Sequence, residues 1–142
     1  MKNFIYIVFL IYSSSIVAQQ KEGTITIRKT LIEARIDQPV FAIVEEMPEY
    51  PGGNPALMDF IQNNLQYPDS GLTLNLQGTV YVNFVIDIDG SVRDVKVLRG
   101  IGYGFDEAAV NVVEKLSNFI PGQQRGKPVQ VSFNLPIKFS LF

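Results

Sequence analysis

The residues whose types and spacing could do chemistry lie in a few acidic and glycine-rich segments. Asp87-Ile88-Asp89-Gly90 resembles the start of a calcium-binding loop, because alternating carboxylates supply the oxygen ligands that Ca²⁺ takes. The glycine comes too early for such a loop, and no ligand glutamate follows at the required distance. The same residues are typical of a hairpin turn, since Asp-Gly between apolar-rich runs is a strong hairpin signal. We therefore predict a turn here and no metal site.

A second segment resembles a phosphate-binding loop. Gly100, Gly102 and Gly104 follow a predicted strand and precede a predicted helix, as the glycines of such loops do. The third glycine of a dinucleotide-binding fingerprint would fall at Phe105, however, and the strands are not predicted to be parallel. The sequence favours a plain strand-to-helix connection, and no cofactor is expected.

No pair of residues has the pattern of a nucleophile and its base. The chain has no histidine and no cysteine, which removes the commonest general base, the commonest metal ligand and any disulfide. Asp106 and Glu107 could be acid–base carboxylates, but a position at a helix N-terminus accounts for them without catalysis. Arg125 and Lys127 could bind an anion, although basic loops are usually solvated. We predict that the protein is not an enzyme.

The 142-residue chain is long enough for one domain, and its net charge of −2 gives no electrostatic support to nucleic-acid binding. Its N-terminus is typical of a secretory signal peptide. Lys2 precedes the apolar run Phe4–Tyr12, and Ser13–Ala18 leads to a cleavage site after Ala18. We expect a cleaved signal peptide over residues 1–18 and an exported, periplasmic protein, with a retained membrane anchor as the alternative.

Residues 19–40 are predicted to be an N-terminal extension that precedes a domain over residues 41–142. Ile25 and Ile27 alternate with polar residues, which predicts a short strand. Thr30–Ile36 is ambiguous between helix and strand, and Val40–Val44 is another short strand candidate.

A helix is predicted to begin at Asn54, because asparagine is a good N-cap and Pro55 is tolerated at the first helical position. Its apolar stripe contains Leu57, Ile61 and Leu65, with Met58 and Phe60 beside it. It should end before Tyr67-Pro68, because a residue that precedes proline is disfavoured in the α region. A second helix is predicted from Phe105 to Leu116.

A hairpin is predicted over Gly78–Arg99, with a type I′ turn at Asp89-Gly90. One face of its first strand is apolar and contains Val80, Val82, Phe84, Ile86 and Ile88. The second strand changes phase after Val92, which predicts a β-bulge near Arg93-Asp94.

The last strand alternates most clearly, with its apolar positions at every odd residue from Val129 to Leu141. Pro136 cannot donate to a strand ladder, so this part of the strand should lie at a sheet edge. The predicted fold class is α+β, in which a small antiparallel sheet made of the hairpin and the C-terminal strand has two helices packed on one face.

Several motifs together resemble the C-terminal domain of the TonB energy transducer. They are Gln66-Tyr67-Pro68, Gly78, the alternating run Val80–Val85, the Asp89-Gly90 turn and Pro121-Gly122, followed by the terminal amphipathic strand. The resemblance covers about residues 41–142. Met47–Gly53 and Gln124–Val129 are similar to the version found in Bacteroidetes-type chains.

The resemblance implies a periplasmic binding domain without catalytic activity. In the family, the domain captures an N-terminal segment of an outer-membrane TonB-dependent transporter by adding it as a strand beside its own last strand, which is β-augmentation. The implied edge residues precede Pro136 and are Val129, Gln130, Val131, Ser132, Phe133 and Asn134. Implied contacts to the transporter plug fall on Gln66, Tyr67 and Pro68, although these three residues also fit a packing motif that ends a helix.

A full transducer also has a membrane anchor with a functional histidine and a long proline-rich linker. This sequence has no histidine, and its eight prolines are scattered, so we expect a domain that does not transduce energy unaided. The alternative function is structural, either binding peptidoglycan or pairing with itself through an edge strand. No nucleic-acid partner and no small-molecule substrate are expected.

Overall fold

The computed structural model describes residues 23–33 and 38–141. The chain divides into two units, Met1–Gln38 and Pro39–Phe142. The predicted signal peptide, residues 1–18, lies outside the described residues. In the part of the chain that is described, no helix combines the length and the apolar character needed to cross a membrane.

Residues 23–33 form a helix, α1. The predicted strand around Ile25 and Ile27 is therefore wrong, and the ambiguous segment is helical as far as Glu33. A helix satisfies its backbone hydrogen bonds within the segment, whereas an alternating pattern forms a strand only beside a second strand. The Thr30 side chain adds to this local bonding, since its Oγ1 donates to the carbonyl of Thr26 at 2.9 Å.

Helix α2 spans Gly53–Asn64 and ends before Tyr67-Pro68, as predicted. Its N-cap is Gly52, which has a φ of 90° and makes no side-chain hydrogen bond. The prediction that Asn54 caps the helix is therefore wrong. The chain enters the helix through two glycines in left-handed conformation, Gly52 and Gly53, so the backbone alone makes the turn.

The apolar stripe of α2 is confirmed by the burial of Leu57 and Ile61, whereas Met58 is 39% exposed. A short helix that the sequence did not predict, α3, spans Asp69–Thr73 directly after Pro68. Five residues are too few to show a helical period in the sequence.

Strands β2 (Gly78–Ile86) and β3 (Val92–Arg99) form the predicted antiparallel hairpin. The predicted apolar face is confirmed, because its four residues within β2 are all fully buried: Val80, Val82, Phe84 and Ile86.

The turn between these strands is not type I′, because only Gly90 has a positive φ, at 81°. The Gly90 N–H donates to the Asp87 carbonyl and the Asp87 N–H to the Ser91 carbonyl, both at 2.9 Å. These bonds close a three-residue loop in which a type I turn is followed by a left-handed glycine, another common hairpin solution.

The predicted bulge in β3 is confirmed. Asn83 pairs with Lys96 and Val85 with Arg93, so β3 has one extra residue over this interval, and Asp94 adopts a φ of 54°. A second, unpredicted irregularity leaves Leu98 without a partner in the same ladder.

Helix α4 (Phe105–Glu114) follows the glycine-rich loop, as predicted. It buries Phe105, Ala109, Val112 and Val113. The loop before Val129, which the sequence left irregular, contains a second small hairpin made of β4 (Gln123–Gln124) and β5 (Lys127–Pro128). Its two-residue turn, Arg125-Gly126, has positive φ at both positions.

The last strand, β6 (Gln130–Phe139), pairs with β2 from Val131 to Phe139. The main sheet has the order β1-β6-β2-β3, where β1 is only Val40–Phe41 and runs parallel to β6. The core lies between this sheet and the helices α2 and α4, so the predicted α+β class with two helices on one face is confirmed. Strand β1 occupies the first two residues of the predicted short strand Val40–Val44, but its parallel pairing with β6 was not predicted.

Candidate partner-binding surfaces

The outer edge of β6 is open over only part of its length. Val40 and Phe41 of β1 pair with Gln130 and Val131, and the Val129 N–H donates to the Gly122 carbonyl at 2.9 Å. Three of the six residues implied for the partner edge are therefore already beside the chain's own backbone. From Ser132 onward, β6 has a strand partner only on the β2 side within the described residues.

Pro136 shows which way the backbone groups of this edge point. It lies opposite Tyr81 of β2 and has no N–H to donate into that ladder. Backbone groups alternate sides along a strand, so Asn134 directs its N–H in the same sense as the Pro136 nitrogen, away from β2. The location of Pro136 on an edge is as predicted, and Asn134 is the donor next to it on the open side.

Side chains along β6 are divided between core and surface. Val131 is fully buried, and Phe133 stacks on Phe84 with ring centroids 5.6 Å apart. Ser132 and Asn134 lie on the opposite face, where the Asn83 amide donates to Ser132 Oγ at 2.8 Å and to Asn134 Oδ1 at 2.7 Å. What the open part of the edge presents to a partner is mainly backbone.

Gln130 is unavailable to a partner, because its side chain is 0% exposed and forms part of a buried polar network. Its Nε2 donates to Asp87 Oδ1 at 3.2 Å, and its Oε1 accepts from Arg93 Nη2 at 2.6 Å. Arg93 Nε lies 3.5 Å from Asp87 Oδ2. This network ties the hairpin turn to the start of β6, and the sequence did not reveal it because the three residues meet only in the folded sheet.

Replacement of Asp87 by asparagine is expected to lower the free energy of unfolding by about 1–2 kcal/mol, because the Gln130 and Arg93 donors lose a charged acceptor. Chemical denaturation of the wild type and of the Asp87→Asn, Arg93→Gln and double variants measures this. The double variant should be less destabilised than the sum of the singles. Strict additivity would show that the network is not coupled.

The predicted Gln66-Tyr67-Pro68 motif divides between packing and exposure. The Tyr67 hydroxyl donates to the Leu76 carbonyl, and its ring packs edge-on against Phe105 and Phe139 at 5.3 and 5.8 Å. Tyr67 is thus a packing residue that closes the core after α2. Gln66 is exposed at the mouth of a groove of about 320 Å³, which Asp69 and Glu107 also line.

The two predicted groups of partner-binding residues lie toward different ends of β6. Tyr67 contacts Phe139, the last residue of that strand. Asn134 is five positions earlier, which corresponds to roughly 17 Å in a strand. An extended segment that runs along the open edge is therefore needed to approach both groups.

The calcium-like segment and the glycine-rich loop both use their polar groups in hydrogen bonds and ion pairs within the domain. The Asp87 carboxylate contacts Arg93 and Gln130. Among the residues that the structure describes, no three His, Cys, Asp or Glu side chains lie close enough together to hold a metal ion. In the glycine-rich loop, the N–H groups of Ile101 and Gly102 donate to Asp106 Oδ1 at 2.8 and 3.3 Å. The Asp106 carboxylate therefore organises the loop before α4 from a position in the first turn of that helix.

The main elements are a helix, a hairpin, a second helix and a last strand that pairs with the first strand of the hairpin. A solved TonB C-terminal domain has the same fold. Residues 63–141 match the family described as Gram-negative bacterial TonB protein C-terminal. The chain belongs to this family.

A solved relative has the same fold. The solution structure of the Helicobacter pylori TonB C-terminal domain (residues 194–285 of that protein) has a TM-score of 0.51 and 26% identity, and the match covers 61% of this chain and 91% of that one. A longer fragment of the same protein (residues 179–285) matches with a TM-score of 0.46 and 26% identity, covering 61% of this chain and 78% of that one. No curated protein is significantly similar in sequence.

Proposed function

We propose that this protein is a non-catalytic periplasmic domain that binds an extended segment of an outer-membrane TonB-dependent transporter by strand addition, and so takes part in transport across the outer membrane. Membership of the TonB C-terminal family supports the partner class. The observation that carries the binding mode is the open edge of β6 after Val131. An unpaired strand edge offers N–H and C=O groups to an extended peptide, which is the basis of β-augmentation.

The open edge moves the proposed contact away from Val129–Val131 and to the part of β6 that begins at Ser132. Residues 132–139 are long enough for an extended peptide of about eight residues, roughly 26 Å long, to lie beside them. The main-chain bonds should concentrate on Ser132 and Asn134, whose N–H groups point away from β2, because Pro136 ends this series of outward donors. Gln130 and Val131 contribute only if the partner displaces β1, which is two residues long.

A peptide that follows β6 to its end arrives near the second proposed contact. Tyr67 packs against Phe139, and Gln66 precedes it in the chain with its side chain exposed. Gln66 is therefore the residue of this motif whose side chain can reach a partner, while Tyr67 and Pro68 hold the backbone in place. The proposed partner contacts are thus Ser132 and Asn134 by backbone and Gln66 by side chain.

Replacement of Asn134 by proline is expected to weaken binding of a transporter N-terminal peptide by about tenfold or more, because it removes one outward hydrogen-bond donor and places a ring at the edge. The matched control is Asn134→Ala, which loses the same amide side chain but keeps the N–H. Isothermal titration calorimetry with peptides from the transporters of the same organism measures both. The fold should tolerate the change, because Pro136 already occupies the equivalent position two residues later.

Equal affinities for the proline and alanine variants would contradict strand addition at this edge. The same open edge favours one other function, in which β6 pairs with β6 of a second copy. Sedimentation of the protein over a range of concentrations distinguishes the two. A dimer that the Asn134→Pro variant abolishes, together with no peptide binding, would favour self-association.

A further inference from the structure

The sheet face away from α2 and α4 is here called the outer face. It carries three exposed basic residues at the end away from the hairpin turn: Lys96, Arg99 and Lys138. In register across the strands, Arg99 lies beside Tyr81, and Lys96 beside Asn83. On the other side of β2, Lys138 pairs with Thr79. These three cations stand on strands that flank β2, so Lys138 and the β3 cations are roughly 10 Å apart laterally.

The two irregularities of β3 create this arrangement. Arg93, Lys96 and Arg99 are spaced by three residues, and in a regular strand such residues alternate between faces. The extra residue near Asp94 and the unpaired Leu98 each shift the phase by one. As a result, Val85, Asn83 and Tyr81 on one face of β2 have a basic residue beside each of them, which the sequence alone does not show.

Three of these cations have no anionic partner within the described residues. Arg93 is neutralised, because it contacts both Asp87 and Asp94. Lys96, Arg99 and Lys138 are exposed, and no carboxylate of the described chain lies within ion-pair distance of them. The turn end of the same face is different, since Val85, Asp87 and Gln130 are buried there.

The charges of this unit are separated between its two layers. Helices α2, α3 and α4 contain five acidic residues and no basic one: Asp59, Asp69, Asp106, Glu107 and Glu114. Strands β2, β3 and β6 contain four basic residues and one acidic one: Arg93, Lys96, Arg99, Lys138 and Asp94. Within residues 39–141, the strands of the main sheet therefore carry mainly positive charge and the helices carry only negative charge.

We infer that the outer face docks on an anionic phospholipid surface, with Lys96, Arg99 and Lys138 as the contacts to headgroup phosphates. The charge of the outer face is complementary to such a surface, whereas the groove beside Gln66 is lined by the acidic residues Asp69 and Glu107. Exposed Tyr81 (42%) and Leu98 (58%) accompany the cations, and aromatic and apolar residues mixed with Lys and Arg are typical of membrane interfaces.

Docking in this way turns the acidic helices toward solvent. The same orientation is favoured because the anionic surface repels these acidic residues. It leaves the β6 edge accessible from the side, because strand edges point along the plane of a sheet. The inference does not depend on the proposed function, since it concerns a different surface and a different class of partner.

The test is co-sedimentation of the full chain with vesicles of phosphatidylglycerol and of phosphatidylcholine. Each basic residue near an anionic surface contributes about 1 kcal/mol, so the Lys96→Gln/Arg99→Gln/Lys138→Gln variant should partition on the order of 100-fold less onto phosphatidylglycerol. The control is Lys115→Gln/Arg125→Gln/Lys127→Gln, which makes the same change of net charge outside this sheet and should cost no more than a few-fold. Binding by the wild type should fall steeply between 50 and 500 mM salt.

Three results of the vesicle assay would overturn the inference. They are equal losses in the two triple variants, binding of the face variant at the wild-type level, and wild-type binding to phosphatidylcholine as strong as to phosphatidylglycerol. Face-dependent binding to soluble polyphosphate without vesicle binding would assign the face to an anionic polymer and also overturn it. All substitutions are at exposed positions, and unchanged thermal melting of each variant confirms that differences in binding do not come from unfolding.

Discussion

Replacement of Phe105 by alanine should destabilise the domain by about 3–5 kcal/mol, the cost of emptying a fully buried aromatic site. Phe105 is 0% exposed and lies at the junction of α4, β6 and the segment after α2. Its ring packs edge-on against Phe139 and Tyr67, with centroid distances of 4.8 and 5.3 Å. Gly71 approaches so closely that a Cβ there would lie 2.5 Å from the Phe105 Cζ.

The consequence should extend to the proposed partner contact, because Tyr67 holds the chain beside Gln66. Denaturant titration measures the loss of stability, and Phe60→Ala is the matched control. Phe60 is only half-buried and contacts Tyr50 at the edge of the core, with centroids 6.1 Å apart, so its removal should cost clearly less. Equal losses of stability in the two variants would contradict the prediction that Phe105 contributes more to the core than Phe60.

Replacement of Gly90 by alanine should cost at least about 3 kcal/mol, because left-handed backbone strain adds to a steric clash. Gly90 has a φ of 81°, and a Cβ there would overlap the carbonyl oxygen of Phe119. The same two residues are joined by a hydrogen bond of 3.0 Å from the Phe119 N–H to the Gly90 carbonyl. The Phe119 ring packs against Tyr50 at 5.2 Å, so a shift at the turn must disturb an aromatic cluster.

The chain contains a glycine that separates strain from clash. Gly126 also has a positive φ, 71°, but a Cβ there would have nothing within 4 Å. Gly126→Ala should therefore cost only the conformational strain, about 1–2 kcal/mol. Thermal or chemical denaturation of both variants gives the difference. Equal destabilisation would mean that the hairpin turn moves freely away from Phe119, contrary to the close packing described.

The elements with long regular patterns were predictable from the sequence. The apolar face of β2, the stripe of α2, the body of α4 and the bulge in β3 follow from local periodicity, and a core must bury such faces. Most of the short elements were not predictable, although β1 lies within the predicted short strand Val40–Val44. Helix α3 and the β4–β5 hairpin have too few residues to show a period, and α1 carries an alternating pattern although its backbone is helical.

The sheet edge that carries the proposed site could be predicted from the sequence only in part. The resemblance pointed to the last strand, and Pro136 correctly indicated an edge. The sequence did not show that β1 occupies the edge at Gln130 and Val131, nor that the Gln130 side chain is buried against Asp87 and Arg93. A polar residue in an alternating strand is predicted to be exposed, and only the folded structure shows that other segments cover Gln130.

The sequence by itself determined the family, the order of the main elements and the faces that they bury, because these depend on residue types and on spacings along the chain. Only the tertiary structure decided which part of β6 is open and which basic residues share the outer face. Both depend on pairings between distant segments, Val40 with Gln130 in the first case and Asn83 with Lys96 in the second. The hairpin at Gly90 shows both effects. Its existence could be predicted from the local sequence, whereas its turn type became clear only in the structure, where Gly90 contacts Phe119.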